Sequence, residues 1–235
     1  MLNPNPVLRQ VPIGDGGFCL VVDDFLLEPN KLVEAAVARR ERFAVAPVNF
    51  YPGIEQPMPA EFDQHLAAFF SRHLRGAFDA QEGAALSTRM SIVTLRPDQL
   101  SPQQRICHRD AAGCPPGEGA SASVLYLFED ERMGGTSFYQ PLLPPMEIDH
   151  LLYQARYVDN AAFDQVIGAP PAYYNGDPRY FKKIGTIPAA WNRAIFYDAT
   201  TFHTGQIDAP DLLDADPARG RLTVNAFIRY RKNVA

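Results

Sequence analysis

The first part of the chain has a hydrophobic pattern that predicts one strand and two helices. Residues 18–27 (FCLVVDDFLL) form a run rich in branched apolar residues, which is typical of a β-strand. Apolar residues at helical spacing predict a helix over residues 31–43, with Asn30 as its N-cap. A Pro- and Gly-rich loop over residues 49–59 separates it from a second predicted helix over residues 60–76.

Beyond these helices the pattern changes to the short alternation that is typical of β-strands. Strands are predicted over residues 86–95, 121–128, 134–142, 193–197 and 221–231. Short strands separated by turn signals favour a barrel or a sandwich.

A long segment, residues 141–188, interrupts this strand spacing. Its first part has a helical pattern, and its second part is rich in Pro, Gly and Tyr. Segments of this length between strands are usually functional lids or disordered, and the many aromatic residues argue against disorder. We therefore predict one domain over residues 1–235, mainly β, with helical cover over about 28–78 and an ordered insertion over about 141–188 near the mouth of the site.

Composition narrows the classes of function. The formal net charge is −5 and no basic stripe is present, which argues against a nucleic-acid partner. No apolar run is long enough to span a bilayer, and the first ten residues do not resemble a secretory signal, so we expect a cytoplasmic protein without a membrane partner. The oligomeric state is not determined by the sequence, and a homodimer is compatible with it.

The candidate chemistry centres on the segment His108-Arg109-Asp110. In an extended segment residues i and i+2 point to the same side, so His108 and Asp110 can face one ion. His203, which follows a predicted strand, is the candidate third ligand. Two histidines and one carboxylate leave positions open for further ligands, as ferrous iron requires when it binds a cosubstrate and oxygen. The competing interpretation is a surface His–Asp pair beside an unrelated histidine.

Other residues of metal-binding type are less favoured as ligands. Cys107 precedes His108, but a zinc site normally needs a second spaced pair, and the odd count of three cysteines argues against a disulfide framework. His65, His73 and His150 are predicted to be surface or packing residues.

Several segments together resemble the 2-oxoglutarate/Fe(II) dioxygenase superfamily in its prolyl-4-hydroxylase-like branch. They are VVDDFLLEPNKL, FYPG, HRD, SVLYLFEDERMGGTSFY, NRAIFYDATTFHTG and GRLTVNAFIRY, and they extend over nearly the whole chain. FYPG in particular is similar to the marker of an uncharacterised bacterial family within that branch, known as a domain of unknown function. The resemblance implies a double-stranded β-helix core of the jelly-roll or cupin type. It also implies Fe(II) held by His108, Asp110 and His203, with 2-oxoglutarate as cosubstrate.

The resemblance further implies a basic residue after the distal histidine that pairs with the far carboxylate of 2-oxoglutarate. Arg221 fits this role, with Thr223 on the same strand face. Arg219 is the rival, but its loop position favours exposure to solvent. Tyr126 and Tyr139 are candidates for the cosubstrate pocket, against the alternative that they only pack in the core. Three further polar residues are expected to line the site: Arg89, Ser91 and Asn225.

The predicted function is an oxygenase that hydroxylates an unidentified small molecule, amino acid or peptide. The carboxylate of Asp110 favours hydroxylation, because related halogenases lack that ligand. One alternative is a metal- or ligand-binding barrel without turnover, since a fold does not fix a function. Another is a zinc- or manganese-dependent barrel enzyme that does not use 2-oxoglutarate.

Overall fold

The computed structural model describes residues 1–46, 50–81 and 84–233. Within these ranges ten strands are formed: β1 (Leu8–Ile13), β2 (Gly17–Val22), β3 (Gly53–Pro57), β4 (Ala85–Val93), β5 (Glu118–Tyr126), β6 (Thr136–Pro141), β7 (Phe181–Ile187), β8 (Ala194–Asp198), β9 (Phe202–Gly205) and β10 (Arg221–Arg231). The α-helices of the same ranges are α1 (Pro29–Ala38), α2 (Ala60–Phe69), α3 (Pro145–Tyr157) and α4 (Asn160–Ile167).

The strands form two antiparallel sheets whose order identifies the fold. The large sheet has the order β1-β2-β8-β5-β10-β4-β3, and the small sheet has the order β7-β6-β9. An isolated bridge between His108 and His203 adds the segment around residue 108 to the free edge of the small sheet. From β4 onward, the large sheet contains β4, β5, β8 and β10. The small sheet contains the segment around residue 108, β6, β7 and β9, so the chain passes repeatedly from one sheet to the other. This winding between two facing sheets is a double-stranded β-helix, so the predicted fold class is confirmed.

The outer face of the large sheet is covered by the N-terminal helices. Leu66 and Phe69 of α2 are buried there. Phe69 contacts Phe25 at 5.0 Å and Phe196 at 6.2 Å between ring centroids. Burial of these aromatic rings fixes the helices on this face and leaves the opposite face of the sheet for the barrel interior.

The insertion covers the outer face of the small sheet in the same way. Helices α3 and α4 bury Ile148, Leu151 and Phe163 in a cluster that includes Phe181 of β7 and Phe202 of β9. The buried Arg105 ties this layer to the core, because its guanidinium pairs with Asp164 at 2.7 Å. Both sheets are therefore covered on the outside, and the space between them is the place for a site.

Four strands were not predicted from the sequence: β1, β3, β7 and β9. They are short, and their partners are distant along the chain apart from the β1–β2 pair, so the local pattern is weak. Strand β3 lies inside the loop predicted over residues 49–59, of which residue 49 lies outside the described part. Helix α1 begins at Pro29 after Glu28, so the expected N-cap role of Asn30 is wrong.

The division into one domain with a helical cover and an insertion stays a prediction. None of the helices in the described ranges combines the length and the apolar character that a bilayer-spanning helix needs.

Candidate metal centre

The backbone brings the three predicted ligands together at one edge of the small sheet. His108 and His203 are directly opposed across the isolated bridge, where each amide donates to the other carbonyl at 3.0 and 2.7 Å. Opposed residues of an antiparallel pair project to the same face. Asp110 follows two positions after His108, so its side chain turns to that face as well.

The three side chains converge on a space of the size of one ion. The ligand atoms of His108, Asp110 and His203 all lie within 4.8 Å of one another. The Nε2 atoms of His108 and His203 lie 3.6 and 3.4 Å from the two carboxylate oxygens of Asp110. The side chain of His203 is 7% exposed, whereas that of His108 is 52% exposed. The set of three ligands is therefore buried on the side of His203 and open to the cleft on the side of His108.

Neighbouring groups fix the orientation of His203. Its Nδ1 lies 3.0 Å from the carbonyl oxygen of Thr201, which assigns the proton to Nδ1 and leaves Nε2 as the ligand atom. The ring of Tyr197 packs edge-on against the imidazole at 4.8 Å. Holding the second ring nitrogen in this way is typical of metal-binding histidines.

Electrostatics favour the neutral, ligand form of His108. Although the side chain of His108 is half exposed, desolvation by the cleft walls, followed by the charge of the neighbouring His203, lowers its pKa, and Asp110 opposes this shift. An imidazole must be deprotonated at its ligand nitrogen to bind a metal. His108 is therefore ready to bind a cation at neutral pH.

The centre opens into a cleft of about 510 Å³ between the two sheets. Clefts of this size hold small molecules of the dimensions of metabolites. The far part of the cleft is formed by β10, where Arg221, Thr223 and Asn225 line it from alternate positions of one strand.

Arg221 is buried and held in place by backbone carbonyls. Its Nε donates to the carbonyl oxygen of Met133 at 3.0 Å, and its Nη2 donates to those of Gly134 and Gly135 at 3.1 and 2.9 Å. The contacts of Arg221 with the described residues leave Nη1 without a hydrogen-bond acceptor. A carboxylate therefore cannot form two parallel hydrogen bonds with the Nε edge of Arg221, because the protein already occupies that edge.

Two adjacent glycines allow these carbonyls to approach Arg221. Gly134 has a φ of 76°, and a Cβ there would lie 1.6 Å from the carbonyl oxygen of Gln206. A Cβ on Gly135 would lie 2.0 Å from the carbonyl oxygen of Ile187. Only glycine fits between the neighbouring strands at these positions, and the turn they form presents three oxygens to the guanidinium.

Two hydroxyl groups stand beside Arg221. The hydroxyls of Tyr51 and Thr223 lie near each other, and Tyr51 is close enough to Arg221 for the guanidinium charge to affect it. Burial raises the pKa of Tyr51 to about 12, while Arg221 opposes the shift. The phenol therefore keeps its proton, and the end of the cleft offers one cationic and two hydroxyl groups for an anion.

Comparison with known proteins gives the family. The profile of the "Family of unknown function (DUF6445)" matches residues 4–228. The chain belongs to this family. No curated protein matches it.

Solved structures similar to this DUF6445 protein include three proteins of low identity. The non-heme alpha ketoglutarate dependent epimerase SnoN from nogalamycin biosynthesis is 13% identical, with 92% of this chain and 81% of that chain covered and a TM-score of 0.48. A Pseudomonas putida prolyl-4-hydroxylase is 14% identical, with 92% and 93% covered and a TM-score of 0.45. HygX from Streptomyces hygroscopicus, with nickel and 2-oxoglutarate bound, is 12% identical, with 91% and 82% covered and a TM-score of 0.49.

The two tyrosines expected to contact the cosubstrate, Tyr126 and Tyr139, are not among the residues that line the cleft. Tyr126 is buried beneath Arg221, and its hydroxyl is 2.8 Å from that of Thr136, so it supports the arginine from behind. Tyr139 is on the outer face of the small sheet and packs on Tyr174 at 5.1 Å. The structure does not bring Tyr139 into the cleft, because strand alternation turns its neighbour Phe138 inward instead.

Sequence reasoning missed the tyrosines that do line the cleft, Tyr51 and Tyr173. Tyr51 lies within FYPG, whose Gly53 allows β3 to pack against the backbone of Ile92. Tyr173 lies in the insertion and donates to the carbonyl oxygen of Leu95 at 2.6 Å. The FYPG motif was the available signal for Tyr51, whereas nothing local distinguishes Tyr173 from the other tyrosines of the insertion.

The three further polar residues, Arg89, Ser91 and Asn225, form one hydrogen-bonded group with Glu55. Ser91 donates to the Glu55 carboxylate at 3.0 Å, Arg89 donates to its other oxygen at 3.2 Å, and Asn225 donates to Ser91 at 3.1 Å. Arg219, the rival of Arg221, is 69% exposed and pairs with Asp214 outside the cleft.

Proposed function

We propose that this protein is an Fe(II)- and 2-oxoglutarate-dependent oxygenase of the prolyl-4-hydroxylase-like branch, which hydroxylates a small-molecule or peptide substrate. One observation carries the proposal: the opposed pair His108 and His203 and the adjacent Asp110 offer three ligand atoms within 4.8 Å of one another at the edge of an open cleft. The double-stranded β-helix and the resemblance of the motifs support it.

The donor set fits ferrous iron. Two imidazoles and one carboxylate on one face leave the other positions for further ligands, which is the arrangement that non-haem iron oxygenases use. A structural zinc site would be closed by a fourth protein ligand, and the described residues offer none within this group. His108, Asp110 and His203 would hold the iron, and Thr201 would keep the Nε2 atom of His203 aimed at it.

The far end of the cleft fits the distal carboxylate of 2-oxoglutarate. Nη1 of Arg221 would donate one charge-assisted hydrogen bond and the hydroxyl of Tyr51 another. The hydroxyl of Thr223 donates to the carbonyl oxygen of Ser91 at 3.4 Å and would turn from it to donate the third. Because Arg221 is already fixed by backbone carbonyls, it loses little side-chain entropy when the anion binds.

The residues of the chain have two roles, which are to bind the cosubstrate and to exclude water from the metal ligands. Arg221, Tyr51 and Thr223 bind and orient the cosubstrate, and the buried rings of Tyr197 and Phe138 exclude water behind the metal ligands. When bound, iron and 2-oxoglutarate would supply the oxidising chemistry that hydroxylates a C–H bond and converts 2-oxoglutarate and oxygen to succinate and carbon dioxide.

Anaerobic titration tests the proposal directly. Purified apoprotein receives Fe(II) and then 2-oxoglutarate, and we expect a visible metal-to-ligand charge-transfer band that saturates at one equivalent of each. Succinate released after admission of air then reports turnover. A folded protein, verified by circular dichroism, that develops no such band would contradict the proposal.

Matched variants locate the centre. Asp110→Ala and His203→Ala should abolish the band, whereas His150→Ala, a change at an exposed histidine of α3, should retain it. A protein that binds metal and gives the band but never forms succinate would instead favour the ligand-binding alternative.

A further inference from the structure

The side chains that line the cleft carry an excess of positive charge, although the whole chain is negatively charged. The protein has a formal net charge of −5, yet among the described residues the cleft is lined by four arginines and two carboxylates, Glu55 and Asp110. A divalent metal ion and the dianion 2-oxoglutarate would cancel each other, so this positive excess remains after both are bound. A cleft lined by one sign of charge concentrates ligands of the opposite sign.

Among the described residues, Arg89 is the one of these four arginines that combines a stacked aromatic ring with a buried carboxylate partner. The guanidinium of Arg89 stacks 4.7 Å above the ring of Phe227, and its Nη1 is held by Glu55 at 3.2 Å. Its contacts with the described residues leave the Nε and Nη2 groups without an acceptor. The side chain is 31% exposed in the wall of the cleft. A fixed guanidinium with one open edge suits the two oxygens of a carboxylate or a phosphate.

The position of Arg89 separates it from the cosubstrate end. Arg89 is paired with Asn225, and Ser91 is paired with Thr223, in the register of β4 and β10. Arg89 therefore lies two residues, or about 7 Å, further along the same sheet face than Thr223. An anion on Arg89 and the distal carboxylate on Arg221 could be bound at the same time.

We propose that the substrate of this enzyme carries a carboxylate or phosphate group and that Arg89 binds it. This inference rests on the proposed oxygenase function and specifies its substrate class. Arg109, which stacks over Phe202 at 5.1 Å and is paired with the exposed Asp149 at 3.2 Å, and Arg156 of α3 add positive charge at the cleft. Among the described residues neither of them is paired with a buried carboxylate. Glu55 acts as the positioning residue that holds the guanidinium of Arg89.

Matched aromatic probes test the proposal on protein loaded with Mn(II), which does not turn over, and 2-oxoglutarate. Ligand-observed NMR titrations compare benzoate and phenyl phosphate with neutral benzamide and cationic benzylamine. We expect at least one of the two anions to bind about tenfold or more tightly than benzamide. The anion that binds more tightly indicates whether the substrate carries a carboxylate or a phosphate. Equal binding of anionic and neutral probes would overturn the proposal.

Variants assign the effect to Arg89. Arg89→Met together with Glu55→Gln removes the cation and the buried negative charge that faces it, and it should reduce the preference for the anion to less than threefold. Glu55→Gln alone loosens the hold on the guanidinium and should reduce the preference less than the double change does, and Arg132→Met, at an exposed arginine that pairs with Asp130, should not change it. A preference that survives the double change, or that is lost only in Arg156→Met, would overturn the assignment to Arg89.

The failure of this inference is distinguishable from that of the proposed function. The charge-transfer band of the wild-type protein reports on the metal and 2-oxoglutarate alone. A wild-type protein that gives the band but binds benzoate, phenyl phosphate and benzamide equally would exclude the anionic substrate class and leave the oxygenase proposal standing.

Discussion

Arg221→Lys keeps a positive charge at the end of the cleft but removes the planar fork that the backbone holds. Arg221 is 4% exposed and makes hydrogen bonds of 2.9–3.3 Å to the carbonyl oxygens of Met133, Gly134 and Gly135. An ammonium group on a flexible stem cannot reach all three oxygens in the same geometry. The substitution should therefore weaken the junction of β6 and β10 as well as any anion site.

The magnitude follows from the bonds that are lost. If lysine replaces one of three carbonyl contacts, about two charge-assisted hydrogen bonds disappear, at about 1.5 kcal/mol each, so the free energy of unfolding should fall by about 3 kcal/mol. For a chain of this length that loss lowers the melting temperature by roughly 6–12 °C. The Kd for 2-oxoglutarate should rise in the same variant, since the Nη1 donor is displaced.

Urea unfolding followed by circular dichroism measures the stability, and the anaerobic charge-transfer titration measures the Kd. The matched control is Arg219→Lys, at an arginine that is 69% exposed and paired with Asp214, for which we expect a change below about 0.5 kcal/mol. The reasoning is refuted if Arg221→Lys unfolds within 0.5 kcal/mol of the wild type, a threshold of about the size of an exposed ion pair. It is equally refuted if the two variants lose the same stability.

Three further predictions concern single groups. Tyr51→Phe removes a protonated hydroxyl from the anion site and should raise the Kd for 2-oxoglutarate about 10- to 150-fold in the charge-transfer titration, the value of one hydrogen bond to a charged group. Gly135→Ala should cost about 1–3 kcal/mol in urea unfolding because its Cβ would meet a carbonyl oxygen at 2.0 Å, whereas Gly76→Ala, with open space around the new Cβ, should not. In the folded protein at pH 8 only the partly exposed Cys114 should react with a disulfide reagent, because the other two thiols are buried and burial raises the pKa of Cys19 to about 12.

Each of these has a result that contradicts it. A change of less than threefold in Kd for Tyr51→Phe would place the cosubstrate carboxylate elsewhere, and Tyr153→Phe, at an exposed tyrosine of α3, serves as its control. Equal stability of the two glycine variants would show that the strands around residue 135 separate easily. Rapid reaction of all three thiols before urea is added would show that the core around Cys19 opens.

The sequence alone determined those parts of the site that depend on local geometry. The spacing of His108 and Asp110 puts both side chains on one face of any extended segment, and the alternation of Arg221, Thr223 and Asn225 along one strand puts them on one face of β10. The longest strand was predicted with the same bounds that the structure gives, residues 221–231. Such patterns are visible in a sequence because neighbouring residues of a strand obey a fixed period.

Only the tertiary structure decided which distant residues meet. The bridge between His108 and His203 depends on the winding of the chain between two sheets, and the entry of Tyr51 into the cleft depends on the packing of Gly53 on β4. The inward face of β6 carries Phe138 and excludes Tyr139, which the sequence could not decide because either face of a strand covered on both sides is apolar. The guanidinium edge that Arg221 offers is likewise set by three carbonyl oxygens of the turn that precedes β6. Contacts of this kind arise from closure of the barrel, and no local period records them.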